Sequence, residues 1–99
     1  MLVVPLRLHP GDDLRHALDA ALRTHGVEAG FVLSGIGSLS RARLRWAGAD
    51  EAQAFDAPLE ILTLAGSLGP DGSHLHASVA DAAGRVWGGH VAPGCVVRT

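Results

Sequence analysis

The sequence is poor in cysteine and in charged side chains. Its single cysteine, Cys95, has no partner in the chain for a disulfide, so a reducing, cytoplasmic setting is expected. Charged residues make up 18% of the 99 residues and the formal net charge is −2, so the chain has no overall basic field to hold nucleic acid non-specifically. The composition therefore argues against autonomous DNA binding.

Long apolar runs are also lacking, and no leader segment is expected from the first residues. The longest apolar runs are far shorter than the ~20 residues that a membrane span needs, and Met1 to Arg7 lacks the layout of a signal peptide. The length suits a single small domain over residues 1–99, which is marginal as a monomer. Because 47% of the residues are nevertheless apolar, we expect an association surface and no membrane contact.

Apolar periodicity predicts one main helix that begins at Asp13. The residues that repeat at helical spacing form one stripe: Leu14, Ala17, Leu18, Ala21 and Leu22. Asp12 is suited to cap the start, and Gly26 is suited to close the end in the left-handed conformation. A first strand is predicted before it, from Leu2 to Leu8, with Pro5 at an edge or bulge.

Five further segments follow the helix. Ala29–Leu33 is predicted as a buried strand that leads into the glycine-rich loop Ser34–Ser38. Arg41–Trp46 alternates strictly, which predicts a half-exposed strand with three arginines on one face: Arg41, Arg43 and Arg45. Gly48–Pro58 is interpreted as a polar connection, and Leu59–Leu68 as a long strand.

The most informative segment carries three histidines. Side chains two apart on a strand share a face, so His74 and His76 point the same way if this segment is extended. A three-residue hairpin loop closed by Gly84 would place Asp81 opposite Arg85, because glycine suits the last, left-handed position of such a loop.

That register places His90 directly across from His76, with His74 one diagonal away on the same face. Three histidines with one free position are typical of zinc sites that keep water or substrate as the fourth ligand. The alternative is that the close spacing arises by chance among six histidines and that the strand histidines only form hydrogen bonds to their neighbours.

The preceding hairpin is predicted in the same way. A three-residue loop of Pro70, Asp71 and Gly72 would place His76 opposite Gly66, where the missing side chain leaves room for a ligand. The same face would then carry leucines and be covered by another subunit or element; these are Leu62, Leu64 and Leu68.

Other features admit two interpretations. The Ser34–Ser38 loop could offer backbone N–H groups to an anion, but a packing turn or subunit contact is favoured. The arginine face could meet phosphates or simply be solvated. Cys95 is expected in the core, and three histidines receive no role: His9, His16 and His25.

The ordered motifs together resemble one known family. They are Leu8-His9-Pro10-Gly11-Asp12-Asp13-Leu14, Gly35-Ile36-Gly37-Ser38-Leu39, Leu59 through Ser67, His74-Leu75-His76, and Gly88-Gly89-His90 with Pro93 through Thr99. This set resembles the plants-and-prokaryotes-conserved (PPC) domain, in its stand-alone prokaryotic type, over nearly the whole chain. In that family the sequence usually continues beyond the position of Thr99 through an acidic residue into a further strand.

The resemblance implies an α/β (α+β) fold, with a mostly antiparallel sheet flanked by one main helix, that assembles as a homotrimer. It also implies that the family's histidine motif corresponds to His74, His76 and His90, which supports a divalent metal site with zinc as the first choice. In plants the domain follows AT-hook segments, and prokaryotic members are often described as DNA-binding by that kinship. No Arg-Gly-Arg-Pro segment occurs here, so DNA is an inherited expectation.

Two functions from different classes follow. The first is an oligomeric, metal-binding assembly or regulatory module, with DNA contact either direct or through partners and with a small-molecule ligand as a further partner. The second is a zinc-dependent hydrolase or lyase whose open metal position activates water. The enzyme hypothesis lacks a clear general base, because Asp81 is predicted at a turn and Glu60 at a strand start.

Overall fold

The computed structural model describes all 99 residues, as one helix and seven strands. The helix α1 spans Leu14–Thr24, and the strands are β1 Gly30–Val32, β2 Gly37–Arg45, β3 Gln53–Phe55, β4 Leu59–Leu68, β5 His74–Ala80, β6 Val86–Val91 and β7 Val96–Val97. Every strand pairing is antiparallel, which confirms the predicted α+β fold. The helix is neither long nor apolar enough to cross a membrane.

The strands form one sheet in the order β1, β4, β5, β6, β2, β3, with β7 paired to β2. Strand β2 bends the sheet back on itself, because its first residues, 37–39, pair with β4 while Leu44 and Arg45 pair with β6. Strands β4, β5, β6 and β2 therefore form a closed ring. This closure leaves the histidine-bearing strands β5 and β6 side by side.

The N-cap of α1 is Asp13 and not Asp12, so the predicted cap residue is wrong by one position. The Asp13 carboxylate accepts hydrogen bonds from the backbone N–H of His16 at 2.9 Å and of Gly94 at 2.6 Å. The second bond fastens the helix start to the segment before β7. Gly26 follows the helix with a φ of +65°, as predicted for a left-handed end.

The core lies between α1 and the sheet. Its fully or nearly fully buried members are Leu14, Leu18, Leu39, Ala42, Leu44, Leu59, Ile61, Leu75, Ala77, Val79, Val91 and Cys95. The Cys95 thiol is part of this packing: it accepts from the backbone N–H of Arg43 and donates to the carbonyl of the same residue. Burial raises the pKa of the Cys95 thiol, so it stays protonated, and its predicted core position is confirmed.

The predicted first strand, Leu2–Leu8, is wrong. Residues 1–9 have no strand partner in the chain, and the side chains of Leu2, Val3 and Leu6 are exposed. Pro5 lacks the N–H that a ladder needs, and no strand edge within one copy of the chain pairs with this segment. The segment has the alternating apolar pattern of a strand, but no strand within one chain pairs with it.

Two other segments also differ from prediction. Strand β1 is a short pairing with β4 and is not buried, since Phe31 and Leu33 are each 61% exposed. The Gly48–Pro58 connection contains β3, which pairs with β2. Phe55 of β3 packs against Trp87, with ring centroids 5.2 Å apart, and this contact explains why a largely polar segment is extended there.

Candidate functional site

The β5–β6 hairpin places two histidines opposite each other, as predicted. The Asp81 N–H donates to the Arg85 carbonyl at 2.9 Å, and Gly84 has a φ of +79° at the last loop position. This turn sets the register in which His76 lies across from His90. The three histidine rings therefore share one face of the sheet, with His74 two residues before His76.

The histidine rings are spaced slightly more widely than imidazole rings that bind one metal ion. The ring centroids of His76 and His90 are 6.0 Å apart, and those of His74 and His90 are 6.3 Å apart. Two imidazoles on one tetrahedral zinc, with Zn–N of about 2.0–2.1 Å, have centroids about 5 Å apart. In this conformation no group of three potential ligands is close enough to hold an ion, and the ring centroids are about 1 Å farther apart than on a shared zinc.

The β4–β5 register differs from prediction by one residue. His76 pairs with Ala65, and Gly66 pairs with Leu75. The turn is a four-residue loop closed by a hydrogen bond from the Gly72 N–H to the Gly69 carbonyl, and not the predicted three-residue loop.

This shift moves the leucines of β4 off the histidine face. Leu64 and Leu68 pack against the core, and Leu62 lies at a bulge in β4. The histidine face carries small side chains from β4 in their place: Thr63, Ala65 and Ser67. All three are exposed, as are His74 and His76, so this face is open to solvent in a single chain.

The glycines near the histidines have different roles. Gly66 has a φ of +147°, and a Cβ there would collide with the backbone carbonyl oxygen of His74, so this glycine permits close approach of two strands. Gly88 lies two residues before His90 and pairs with Ser78, so it shares the histidine face. A Cβ at Gly88 would make ordinary van der Waals contact with the Ala77 carbonyl oxygen at 3.4 Å, so a methyl group would fit there.

Two arginines flank His90. Arg15 of α1 places Nη1 at 3.2 Å from Nε2 of His90 and donates to the Val91 carbonyl at 3.1 Å. Arg45 pairs with His90 in the β2–β6 register and donates to the Ala49 carbonyl at 3.2 Å. Burial lowers the pKa of His90, and the charges of Arg45 and Arg15 lower it further. A neutral His90 ring has one unprotonated nitrogen, which can accept a hydrogen bond or bind a metal ion.

A cavity of about 480 Å³ opens beside these groups. It is lined by residues 45–48 at the end of β2 and by His76, Gly89 and His90. Trp46 forms one wall and stacks on Trp87, with ring centroids 6.4 Å apart and an interplanar angle of 8°. The aromatic cluster and Arg15 were not predicted as site features, because no local pattern links them to the histidines.

The remaining predicted candidates lie away from this cavity. Asp81 is held in the β5–β6 turn by Arg85 and Trp87, about 16 Å along the strand from His76. Glu60 pairs with Ala80 near the same end. The predicted Ser34–Ser38 loop is only partly a loop, because Gly37 and Ser38 belong to β2, and its Gly35 packs on Leu64, where a Cβ would meet the leucine side chain at 2.9 Å.

Comparison with known proteins gives a family match over the full chain. A family model for the Plants and Prokaryotes Conserved (PCC) domain matches residues 1–99. Among curated proteins, the Bifunctional protein GlmU of Synechococcus sp. strain JA-3-3Ab is 56% identical over 97 residues. That match covers 98% of this chain but only 16% of the cyanobacterial protein, so the chain spans about a sixth of that relative.

Solved structures share the fold over nearly the same extent. A hypothetical protein from Salmonella cholerae-suis is 37% identical with a TM-score of 0.90, covering 95% of this chain and 68% of that one. The metal-containing protein AF0104 from Archaeoglobus fulgidus is 30% identical with a TM-score of 0.77, covering 93% of this chain and 70% of that one.

Proposed function

Because this chain belongs to the Plants and Prokaryotes Conserved domain family, we propose that it is an oligomeric assembly or regulatory module that binds a divalent metal ion, with zinc as the first choice. His74, His76 and His90 would hold the ion. The observation that carries the proposal is the convergence of these rings on one face, at centroid separations of 6.0 and 6.3 Å. A bound zinc would tie β5 to β6 and offer one open coordination position.

The donor set fits such an ion. Neutral imidazole is the ligand form that zinc needs, and the lowered pKa of His90 favours that form at neutral pH. His74 and His76 are exposed, so the approach to their rings is open. The metal-containing Archaeoglobus relative, 30% identical, supports the same assignment.

Assembly is the second part of the proposal. Only 14 of the 99 residues are buried in one chain, which is a small core for an independent fold. Large apolar side chains remain exposed, among them Leu2, Val3, Phe31, Leu33 and Ile36. We propose that these surfaces meet in a homotrimer, the assembly that the family resemblance implies. The occurrence of a similar segment as about a sixth of a longer cyanobacterial protein supports a modular role.

DNA enters the proposal as an indirect partner. The arginine face of β2 does not form a continuous basic surface, because Arg41 forms an ion pair with Asp56 at 3.0 Å and Arg45 lies partly buried at the histidine cavity. With a net charge of −2, the chain offers little counterion release to a duplex. We propose that any regulatory contact with DNA passes through partner segments. The reduced thiol of Cys95, buried in the core, supports a cytoplasmic location.

The enzyme alternative has no observation in its favour. Hydrolysis or lyase chemistry needs a proton acceptor near the metal, and both carboxylates considered, Asp81 and Glu60, lie toward the far end of the strands. No carboxylate lines the histidine cavity. The geometry therefore favours binding over catalysis.

Metal content tests the proposal directly. Protein purified without a histidine tag is expected to retain about one zinc per chain by elemental analysis, because three neutral imidazoles form a tight site. His76→Ala should lose the metal, whereas His16→Ala, on the exposed face of α1, should keep it. Absence of zinc from the parent protein even after zinc is added would refute the site.

Oligomeric mass before and after chelation tests the assembly. We expect a trimer in light scattering with the metal bound. Persistence of the trimer after chelation would assign the metal to ligand binding, and dissociation would assign it to assembly. A monomer under both conditions would refute the assembly proposal.

A further inference from the structure

The histidine cavity carries positive charge that no carboxylate compensates. Three ion pairs occur in the chain, and they involve His9, Arg41 and Arg85, each with an aspartate. Arg15 and Arg45 are in none of them, although both are partly buried beside His90. Partly buried guanidinium groups without an acidic partner are costly unless an anion neutralises them.

Both guanidinium groups are already oriented. Arg15 is held by the Val91 carbonyl and Arg45 by the Ala49 carbonyl. A guanidinium has five N–H donors, so each arginine keeps most of its donors free for an oxyanion, which it can bind with two parallel hydrogen bonds. The carbonyl contacts reduce the entropy that would be lost when such an ion binds.

The cavity size indicates what kind of anion would fit. A volume of about 480 Å³ lies within the range of small-molecule sites, and Trp46 supplies an apolar wall for the rest of such a molecule. Arg45 and His90 line this cavity, and Arg15 contacts His90 from the helix side. The shape favours a small carboxylate or phosphate compound over a polymer.

We propose that Arg15 and Arg45 form an oxyanion-binding site for a carboxylate or phosphate group of a small molecule, adjacent to the histidine cluster. The part of this inference that couples anion and metal rests on the proposed function. Arg15 now donates toward Nε2 of His90, and a metal bound at that nitrogen would occupy the same lone pair and release the arginine. Zinc should therefore strengthen anion binding, and the anion should strengthen zinc binding by the same factor.

The test follows the histidine ring signals of ¹³C-labelled protein by NMR. Inorganic phosphate is titrated in one arm and succinate in another, each at constant pH and constant ionic strength with chloride as the balancing anion. The metal-free protein, prepared with a chelator, is compared with the zinc-loaded protein. The His90 signals should shift saturably with phosphate or succinate but not with chloride, and at lower anion concentration when zinc is present.

Matched variants test whether the two arginines bind the anion. Arg15→Gln and Arg45→Gln should each weaken binding by roughly tenfold or more, the loss expected for one charge-assisted contact. Arg23→Gln on the same helix and Arg41→Gln on the same strand are exposed controls and should bind within about twofold of the parent. Circular dichroism confirms that each variant is folded, and the two test variants lie on different elements.

The outcomes separate this inference from the metal proposal. Zinc binding with no saturable anion shift, or with shifts unchanged in both arginine variants, would overturn the anion site and leave the metal site standing. Arginine-dependent binding in a protein that takes no zinc would support the anion site and refute the metal site. A DNA duplex that competes through the same arginines more strongly than phosphate would overturn the small-molecule assignment.

Discussion

Replacement of Asp13 by alanine should reveal how strongly one carboxylate joins the helix to the sheet. Asp13 accepts two backbone hydrogen bonds, from His16 at 2.9 Å and from Gly94 at 2.6 Å. The first is a helix cap, worth about 1 kcal/mol, and the second is a charge-assisted bond worth about 1.5–3 kcal/mol. Asp13→Ala is therefore expected to lower the free energy of unfolding by about 2.5–4 kcal/mol.

That loss is large against the ~5–15 kcal/mol of a typical domain, so the melting temperature should fall by roughly 10–30 °C. Thermal unfolding by circular dichroism at one fixed protein concentration measures it, because assembly makes the midpoint concentration-dependent. Asp12→Ala is the matched control: its carboxylate accepts only from the exposed His9 N–H, so the loss should stay below about 1 kcal/mol. Equal losses in the two variants would refute the reasoning.

Two further predictions concern the strands around the histidines. Burial alone would raise the pKa of Asp81, but four hydrogen bonds, two of them from Arg85, outweigh burial and lower the pKa. The Asp81 carboxylate therefore stabilises the fold at neutral pH, and this stabilisation is lost as the pH falls through the lowered pKa. Asp81→Asn should therefore lower the urea midpoint at pH 7 but not below the folded-state pKa, and a pH-independent difference would contradict this. Gly66→Ala should destabilise the fold by about 2 kcal/mol or more, since its Cβ would meet the His74 carbonyl. Gly48→Ala, which has open space around it, should cost about 1 kcal/mol in the same urea titration. Equal costs would show that the positive φ of the two glycines, and not the contact with His74, determines the loss of stability.

The part of the site that local turn chemistry determines was predictable from the sequence. Gly84 can take the left-handed loop position between Asp81 and Arg85, and this alone sets His76 across from His90. The β4–β5 turn was not determined in this way, because glycine at both Gly69 and Gly72 suits a three-residue or a four-residue loop. The one-residue difference moved the β4 side chains from Thr63 to Ser67 to the other face, whereas the bulge at Leu62 leaves Glu60 and Ile61 facing as predicted.

Long-range packing accounts for what the sequence could not predict. Arg15 lies 75 residues from His90 in the chain, and only the docking of α1 on the sheet brings them together. The exposed Leu2–Leu8 segment shows the reverse case, in which a strand-like pattern has no partner within one chain. Sequence periodicity indicates that a segment is suited to pairing, but the available neighbours decide whether it pairs.

The most direct test of the central claim is a crystal structure of the zinc-soaked or zinc-grown protein with anomalous diffraction recorded at the zinc edge. The account predicts one strong anomalous peak per chain on the open face of β5 and β6, about 2.0–2.1 Å from one ring nitrogen of each of His74, His76 and His90. A peak coordinated by other side chains, or no peak on this face, would contradict the three-histidine metal site.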